Sequence, residues 1–535
     1  MMMQYLDIKR SPDSVRAQFD DGWMELHQRN AGNWQLRELA LFVGEATYEQ
    51  QVIVRESQRP LKRLVLRWQQ RVAPELVYLS DEWERGYGEL GWRNLVPERI
   101  LPWYFLTYDG SLVHGYGVKT GAAAFCFWQV DSSGVSLWLD VRNGSAGVEL
   151  GTRELLVAEI VSRLGNEGEG LFAAAQQFCR QMCARPVLPK QPVYGGNNWY
   201  HAYGNSSYQE ILDDSKLMAS LASASPHHPF MVIDDGWQLC HSKNGNGGPW
   251  LPNRDFEDMQ KLATEMKRTG VRPGIWFRPL LTSEKVPSDW TFATGRLAMS
   301  GDGLVLDPSL GEVREYIGTS IKRLVDWGFE LLKHDFSTFD IFGLWGFQMG
   351  AKLTEHQWAF ADRSKTSAEI IVQFYRCIAE SAGNALVMGC NTVGHLAAGV
   401  FALQRTGDDT SGREWERTRK MGVNTLAFRM PQHTTFFAVD ADCVGLTRDV
   451  PWELNRQWLQ LLAESGTPLF VSAAADAVGI EQEKALRMAF EQAAQVHAPA
   501  QPLDVLETTS PRRWLINGRT VEFDWYGTGG VQLSV

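Results

Sequence analysis

The chain has 535 residues, of which 44% are hydrophobic and 21% are charged, a composition that excludes a disordered or collagen-like protein. Its net charge of −11 disfavours a nucleic-acid partner, because an acidic surface repels phosphate backbones. No apolar run approaches the roughly 18 residues that a membrane span needs, and Asp7 lies where a signal peptide would need its apolar stretch. We therefore expect a cytoplasmic protein without a membrane partner.

Residues 1–185 are predicted to form an N-terminal β-sandwich domain. Apolar runs such as 61–68 and 122–128 are separated by Gly, Asp and Asn turns, and 136–141 alternates with the period of two of a half-buried strand. A helix near 170–182 closes the region. Three prolines then lie between 186 and 192, and such a stiff connector indicates a domain boundary.

Residues 191–480 alternate short apolar runs with amphipathic helices, which predicts βα units and a parallel sheet. The helical pattern is clearest in 255–269 and 311–327, and Ser309 with Glu312 has capping-box spacing before the second of these. Eight such units suit a (β/α)8 barrel. The eight strand candidates are Val193–Trp199, Phe230–Asp234, Arg272–Phe277, Phe329–Asp335, Ala385–Cys390, Gly399–Arg405, Thr434–Val439 and Pro468–Ser472.

A short C-terminal β region, residues 490–535, is expected to end the chain. The runs 513–516 and 519–523 flank Asn517-Gly518, which is a strong signal for a β-hairpin. The predicted fold is therefore multidomain, with an N-terminal β-sandwich, a central (β/α)8 TIM barrel and this small β region.

Ionisable side chains follow several predicted barrel strands, at the end where barrel active sites lie. One acid there could simply cap the next helix, but the ends of strands 2, 4, 6 and 7 all carry them. Carboxylates of strands 4 and 6 can face each other, as glycoside hydrolysis requires of its nucleophile or base and its acid. The groups are Asp234-Asp235 after strand 2, Lys333-His334-Asp335 at strand 4, Arg405 with Asp408-Asp409 at strand 6, and Asp440 with Asp442 at strand 7.

The motifs between about 190 and 475 resemble those of α-galactosidases of glycoside hydrolase family 36, and more distantly those of families 27 and 31. The β-rich region before them also fits, since the family carries a β-sandwich there. The matching motifs are, in order, Asn197-Asn198-Trp199, Ile233-Asp234-Asp235-Gly236-Trp237, Gly274-Ile275-Trp276-Phe277, Leu306-Asp307-Pro308, Lys333-His334-Asp335, Gly389-Cys390 and Arg405-x-Gly407-x-Asp409.

The resemblance implies a role for each matching residue. It makes Asp335 the nucleophile and Asp409 the general acid/base of a retaining mechanism, with the adjacent Asp408 as the rival for the second role. It implies no metal and no cofactor. The other matches would bind the sugar: Lys333 and Arg405 at ring hydroxyls, Asp234 and Asp235 at the 4- and 6-hydroxyls, Trp199, Trp237 and Trp276 as pocket walls, and Cys390 in the pocket lining.

Two stretches depart from the family's pattern. In Trp276-Phe277-Arg278-Pro279 an Arg stands where the family usually has Glu. Arg278 is either a surface or ion-paired residue or a substrate-binding residue for an altered or acidic sugar. The segment 391–395 lacks the small-residue run that lies near the sugar's 2-position in relatives.

We therefore expect a retaining exo-α-glycosidase, α-galactosidase-like, that acts on a small soluble carbohydrate. The alternatives are a transglycosidase of the raffinose-synthase type, an α-glycosidase for a different or acidic sugar, a catalytically silent carbohydrate-binding relative, and a metal-dependent barrel enzyme. The sugar, the linkage and assembly into a homo-oligomer stay open at this point.

Overall fold

The N-terminal part of the chain forms two antiparallel sheets. The computed structural model describes residues 5–46, 49–240, 246–292, 303–354 and 357–531. The strands of this part are β1 (Ser14–Phe19), β2 (Gly22–Glu25), β3 (His27–Asn30), β4 (Asn33–Leu36), β5 (Leu39–Ala46), β6 (Glu49–Ser57), β7 (Arg63–Gln69), β8 (Val77–Ser80), β9 (Arg93–Asn94), β10 (Leu101–Pro102), β11 (Tyr104–Tyr108), β12 (Val113–Val118), β13 (Phe125–Asp131), β14 (Gly134–Asp140) and β15 (Leu155–Arg163).

Six of these strands form one sheet, in the order β10-β13-β14-β7-β1-β2, and nine form the other, in the order β3-β4-β5-β6-β15-β12-β11-β8-β9. The predicted alternation is present in β14, where Leu137 and Leu139 are fully buried and Ser136 is not. Trp68 and Trp128 stack in the core with ring centroids 6.3 Å apart. Burial of these apolar side chains stabilises the two sheets.

Helix α1 (Leu171–Met182) packs on the second sheet and confirms the predicted helix near 170–182. Its Phe178 lies so close to β12 that a Cβ added at Gly115 would collide with the Phe178 ring. The glycine is therefore required by the close approach of the helix to the strand.

The second part of the chain carries a parallel sheet. Its strands, with the separate antiparallel pair β19–β20, are β16 (Tyr194–Asn197), β17 (Phe230–Ile233), β18 (Arg272–Phe277), β19 (Leu281–Thr282), β20 (Leu304–Val305), β21 (Leu331–His334), β22 (Leu386–Gly389), β23 (Leu403–Arg405), β24 (Ala438–Asp440), β25 (Cys443–Leu446) and β26 (Leu469–Ala473).

The order in this sheet is β24-β23-β22-β21-β18-β17-β16-β26-β25, and all neighbours are parallel. Each of the eight predicted segments overlaps one of these strands, and β25 is an additional one. The two ends of the order, β24 and β25, are separated along the chain only by Ala441 and Asp442. The carboxyl ends of all these strands lie at one edge of the sheet.

Helices follow most of these strands. The α-helices are α2 (Trp199–Ala202), α3 (Tyr208–Leu221), α4 (Met259–Thr269), α5 (Gly311–Asp326), α6 (Ser337–Phe342), α7 (Gly346–Met349), α8 (Ser367–Ala382), α9 (Gly394–Ala397), α10 (Trp415–Thr418), α11 (Thr425–Arg429), α12 (Trp452–Glu464) and α13 (Ile480–Ala493), with a π-helical segment at Arg419–Asn424. No helix within the described ranges is long and apolar enough to cross a membrane.

One predicted helix start and one predicted helix cap differ from the structure. Helix α4 begins at Met259 rather than at 255, because the Asp258 side chain accepts a hydrogen bond from the Lys261 N–H and caps it there. The capping box predicted for Ser309 is wrong: Leu310 is the N-cap of α5 and has no side-chain cap bond. The Ser309 hydroxyl instead accepts from the Asp362 N–H.

A small antiparallel sheet lies near the C-terminus, formed by β27 (Gln501–Pro502), β28 (Arg513–Ile516) and β29 (Arg519–Glu522). Asn517 and Gly518 connect β28 to β29 with φ angles of 49° and 78°. A two-residue turn with both φ angles positive is the geometry that an Asn-Gly hairpin favours. This hairpin prediction is confirmed.

The loop between β8 and β9 connects the two parts of the chain. The Gly86 N–H donates to the Thr406 carbonyl across 2.8 Å, and the Asp408 N–H donates to the Gly86 carbonyl across 2.9 Å. These bonds attach the N-terminal loop to the segment after β23. A Cβ at Gly407 would collide with the Met421 carbonyl oxygen, so the crowded junction requires a residue without a side chain there.

Candidate active site

A pocket of about 720 Å³ lies at the carboxyl ends of β21 and β23. Asp335 follows β21, and Asp408 and Asp409 follow β23; all three line this pocket. The structure therefore brings the two predicted catalytic carboxylates, and the rival of the second, into one cavity. The described residues that line this cavity do not include the other predicted site residues, which are Asp234, Asp235, Trp199, Trp237, Trp276, Arg278, Lys333, Cys390 and Arg405.

Asp335 is held from both sides by hydrogen bonds. One carboxylate oxygen accepts from the Trp276 indole N–H at 3.0 Å, and the other accepts from the backbone N–H groups of Phe336 and Asn391 at 2.8 and 3.1 Å. Burial favours the neutral acid, but the charges of Arg85 and Lys333 and these bonds outweigh it, so the pKa of Asp335 falls to about 2. This carboxyl is ionised at neutral pH.

The backbone directly after Asp335 is strained. Phe336 has a φ of 63°, in the left-handed region that residues other than glycine rarely adopt. Such strain persists only where the surroundings determine the conformation, and it concentrates at functional sites. The strained residue, Phe336, is also the one whose backbone N–H donates a hydrogen bond to the Asp335 carboxylate.

Asp409 is the more open of the two acids after β23, with 37% of its side chain exposed. Its carboxylate lies 3.2 Å from one Arg405 nitrogen and 3.9 Å from one Arg85 nitrogen. Desolvation within the pocket and the neighbouring charges of Asp408 and Asp442 raise the pKa of Asp409, against the effect of Arg405. Asp409 is therefore the acid in this pocket that holds a proton more readily than an ordinary Asp.

Asp408 is engaged by two guanidinium groups. Its oxygens lie 2.9 Å from Arg85 and 2.8 Å from Arg417. Two such partners leave little freedom for its side chain to turn. The adjacent acids thus differ in their surroundings.

Arg405 joins three carboxylates behind the pocket. Its guanidinium lies 3.1 Å from Asp440 and 2.8 Å from Asp442, in addition to its contact with Asp409. Asp442 also accepts hydrogen bonds from the Thr410 N–H and from the Tyr200 hydroxyl. The acids predicted at the end of strand 7 therefore fix Arg405 beside the pocket.

Asp234, after β17, and Lys333, on β21, form a buried ion pair across the end of β18, which lies between these two strands. The Lys333 ammonium donates to Asp234 at 2.7 Å, and the Asn197 side chain donates to the same oxygen at 2.7 Å. Burial alone would lower the pKa of Lys333, but the charge of Asp234 raises it. Asp235 follows directly and accepts from Gln238 at 2.6 Å.

The predicted pocket aromatics take different positions. Trp276 contacts Asp335 through its indole N–H. Trp237 is fully buried, and its indole N–H donates to the Trp276 carbonyl at 3.0 Å. Trp199 is half-buried and packs edge-on against Tyr203, and Cys390 is fully buried with its Sγ 3.8 Å from Arg85.

Arg278 forms an internal ion pair. Its guanidinium donates to the buried Asp340 carboxylate, at 3.0 Å from Nε, and also to the Asn246 side chain. Its guanidinium carbon lies 4.3 Å from the centre of the Phe336 ring. Of the two interpretations of Arg278, these contacts favour the ion-paired one.

The N-terminal loop contributes residues to the pocket that were not predicted from the sequence. Arg85, Tyr87 and Glu89 line it directly. Glu84 lies behind them, fully buried, and accepts hydrogen bonds from the Tyr87 hydroxyl, the Gly346 N–H and the Asn391 side chain. The run Glu84-Arg85-Gly86-Tyr87 has no periodicity and lies within a charged stretch, 81–93, so no local pattern singled it out.

No protein-family model matches the sequence. Solved structures nevertheless match it over most of its length. The α-galactosidase TtGalA from Thermus thermophilus, in complex with p-nitrophenyl α-D-galactopyranoside, is 16% identical with a TM-score of 0.61, and the match covers 95% of this chain and 99% of that one.

Two enzymes from Geobacillus stearothermophilus match similarly. The family 36 α-galactosidase AgaA is 14% identical with a TM-score of 0.62, over 95% of this chain and 79% of that one. The family 36 α-galactosidase AgaB is 13% identical with a TM-score of 0.58, over 90% and 75%. The resemblance inferred from the motifs is thus confirmed at the level of structure: the chain has the fold of α-galactosidases of glycoside hydrolase family 36.

Proposed function

We propose that the chain is a retaining exo-α-glycosidase, α-galactosidase-like, that hydrolyses terminal α-linked sugars by double displacement. One observation carries the proposal: a single pocket holds Asp335, whose pKa is lowered to about 2, and Asp409, whose pKa is raised. Opposite shifts in two neighbouring carboxyls suit a nucleophile that must be ionised and an acid that must carry a proton.

In the first step, an Asp335 oxygen attacks the anomeric carbon. The new bond between this oxygen and the anomeric carbon forms as the glycosidic bond breaks, and the proton of Asp409 moves to the leaving oxygen. The hydrogen bonds from Trp276 and from the Phe336 and Asn391 N–H groups keep the attacking carboxylate in one orientation.

In the second step, a water molecule attacks the same carbon. Asp409, now ionised, takes a proton from the water, and the bond between Asp335 and the anomeric carbon breaks. Two inversions at one carbon retain its configuration. Both catalytic groups then return to their starting protonation states.

We assign the acid/base role to Asp409 rather than to Asp408. Asp408 is paired with Arg85 and Arg417, which hold its side chain in place and away from a leaving group. Asp409 has the open position and the raised pKa that proton transfer to a leaving group requires.

The remaining predicted residues are proposed to bind the sugar. Asp234, Asp235, Lys333 and Arg405 offer charged donors and acceptors to ring hydroxyls. Trp276 and Trp199 would form the apolar walls, with Cys390 packed behind Arg85. Trp237, which has no exposed surface, would act by supporting Trp276.

We also infer the finer architecture. The parallel strands would close as a (β/α)8 barrel over 191–480, because the end segments β24 and β25 are consecutive in the chain. The two antiparallel sheets would form the β-sandwich of 1–185, and 490–535 would be the small C-terminal β region. The internal pairing of Arg278 with Asp340 supports a neutral rather than an acidic sugar.

The test is turnover of a panel of aryl α-glycosides by the wild type, Asp335→Ala, Asp409→Ala and the surface control Asp289→Ala. We expect the α-galactoside to be cleaved, with a loss of about a thousandfold or more in Asp335→Ala and no change in the control. Added azide should convert the Asp335→Ala reaction into formation of an inverted glycosyl azide. Wild-type turnover in Asp335→Ala would refute the nucleophile assignment.

A further inference from the structure

Phe347 presents an aromatic ring to solvent at the edge of the pocket. It belongs to α7, on the segment that follows β21, and it lines the same cavity as Asp335 and Asp409. Its exposed fraction is 60%, whereas Trp276 and Trp237 are almost completely buried. An exposed aromatic ring forgoes hydrophobic stabilisation, and beside a catalytic pocket it indicates a binding surface.

The Phe347 ring is held in place by the N-terminal loop. Its centre lies 4.8 Å from that of Tyr87, with the two rings at 64°. The Tyr87 hydroxyl donates to Glu84, and the N–H of Gly346, the residue before Phe347, donates to the same carboxylate at 2.9 Å. Glu84 thus fixes both aromatic residues from behind.

Trp345 extends this surface toward the catalytic residues. The Trp345 ring stacks on that of Phe339, with ring centres 4.5 Å apart. The Arg85 guanidinium carbon lies 5.2 Å from the centre of the Trp345 ring. We call Tyr87, Trp345 and Phe347 the aromatic edge of the pocket. All three residues line the cavity that holds both proposed catalytic carboxylates.

The chemistry of this surface suits a flat, neutral ring. Aromatic side chains bind the C–H face of a sugar or an aryl ring by offset or edge contacts. The charged residues at its rim are paired, Arg417 with Asp408 and Glu89 with Arg93, so the rim offers hydrogen bonds rather than unbalanced charge. A charged ligand would therefore gain little here.

We propose that the aromatic edge binds the ring of the leaving group, the neutral sugar or aryl ring attached to the scissile oxygen. This inference rests on the proposed glycosidase function, and it adds the part of the substrate that the catalytic carboxylates themselves do not recognise. The surface would hold the leaving oxygen near Asp409, which must protonate it.

The experiment compares three substrates with the same glycone: the p-nitrophenyl α-glycoside, a disaccharide, and the α-glycosyl fluoride, whose leaving group has no ring. The variants are Phe347→Ala, Phe347→Trp and Trp23→Ala, the last an exposed aromatic outside the pocket. In Phe347→Ala we expect the kcat/KM of a ring-bearing substrate relative to the fluoride to fall about tenfold. Phe347→Trp and Trp23→Ala should keep the wild-type ratio.

Each outcome either supports or overturns the proposed role of the aromatic edge. A lower ratio for the aryl glycoside, the disaccharide or both supports the proposal and identifies the type of ring bound. An equal fall for all three substrates, or no fall, overturns it while the glycosidase function stands. If the wild type cleaves none of the three, the proposed function itself fails. Because Phe347 is exposed, its replacement should leave the melting temperature unchanged, which is measured in parallel.

Discussion

Glu84 accepts a hydrogen bond from the side-chain amide of Asn391, although the two residues are 307 positions apart in the chain. The backbone N–H of Asn391 in turn donates to Asp335. One residue therefore separates a buried acid of the N-terminal region from the proposed nucleophile. The first prediction concerns the charge of that acid.

Burial raises the pKa of Glu84 from 4.5 to about 7, against the opposing charge of Arg85. Between these two values the unfolded chain has lost a proton that the folded protein keeps, so rising pH removes stability. Glu84→Gln cannot ionise. We expect its melting temperature, relative to that of the wild type, to increase from about pH 5 to about pH 8.

Calorimetric scans across this pH range measure the effect. Glu98→Gln, at an exposed position, is the control and should follow the wild type at every pH. A difference between Glu84→Gln and the wild type that does not change with pH would contradict the prediction.

The second prediction concerns the pH profile of kcat/KM. Asp335 must be ionised and has a pKa of about 2. The acid limb of the profile, where kcat/KM falls because Asp335 gains a proton, should therefore lie far below neutrality. Asp409 must be protonated in the first step, and its raised pKa should set the alkaline limb. Asp409→Asn is expected to lose this limb and about a hundredfold or more in rate on substrates that need proton transfer.

Asp408→Asn is the matched comparison, since it changes the neighbouring acid. It should keep the alkaline limb. If the limb disappears with Asp408 instead, the two roles must be exchanged.

The third prediction concerns Arg85, whose guanidinium is buried between the N-terminal loop and the acids after β23. Its charge lowers the pKa of Asp335. In Arg85→Met the acid limb of the profile should therefore move to higher pH. Loss of a buried charged partner of Asp408 should also lower the free energy of unfolding by about 3 kcal/mol.

Urea titration and the pH profile check the two effects of Arg85→Met. Arg93→Met, which removes an exposed guanidinium from the same loop region, should change the free energy of unfolding by less than about 0.5 kcal/mol. If the acid limb does not shift in Arg85→Met, the charge of Arg85 does not lower the pKa of Asp335.

The fourth prediction concerns the ion pair of Arg278 with Asp340. Both side chains are buried, so Arg278→Met should lower the free energy of unfolding by about 3 to 5 kcal/mol. Replacing both residues by apolar ones should recover part of this loss, which a double-mutant cycle measures. Preference for uronic over neutral glycosides should not change; a change would restore Arg278 as a substrate-binding residue.

Features that depend on neighbouring residues could be predicted from the sequence. The strand candidate 329–335 ends in Asp335 and so predicted both the strand and the acid at its end, and Asn517-Gly518 predicted the hairpin. These patterns need no knowledge of distant chain segments. The roles of the acids were implied by the resemblance to family motifs and stay a prediction.

Features that depend on distant segments could not be predicted. Arg85 lies more than 300 positions before Cys390, which it contacts, and Arg278 finds Asp340 only after 62 residues. The capping box at Ser309 had the right spacing, but tertiary contacts with Asp362 outweighed the local preference. Local propensity is a weak guide where tertiary contacts compete with it.

The backbone bonds of Gly86 with Thr406 and Asp408 have a consequence for modularity. If the proposed function is correct, the strand-rich N-terminal part would not be an accessory that could be removed or swapped while the catalytic part keeps its chemistry. Removing it would take away Arg85, Glu84 and Tyr87 together and would expose a crowded glycine junction built to receive them. The enzyme we propose is therefore one catalytic unit. Its pocket combines the loop between β8 and β9 with the segment after β23, which lies about 300 residues later in the chain.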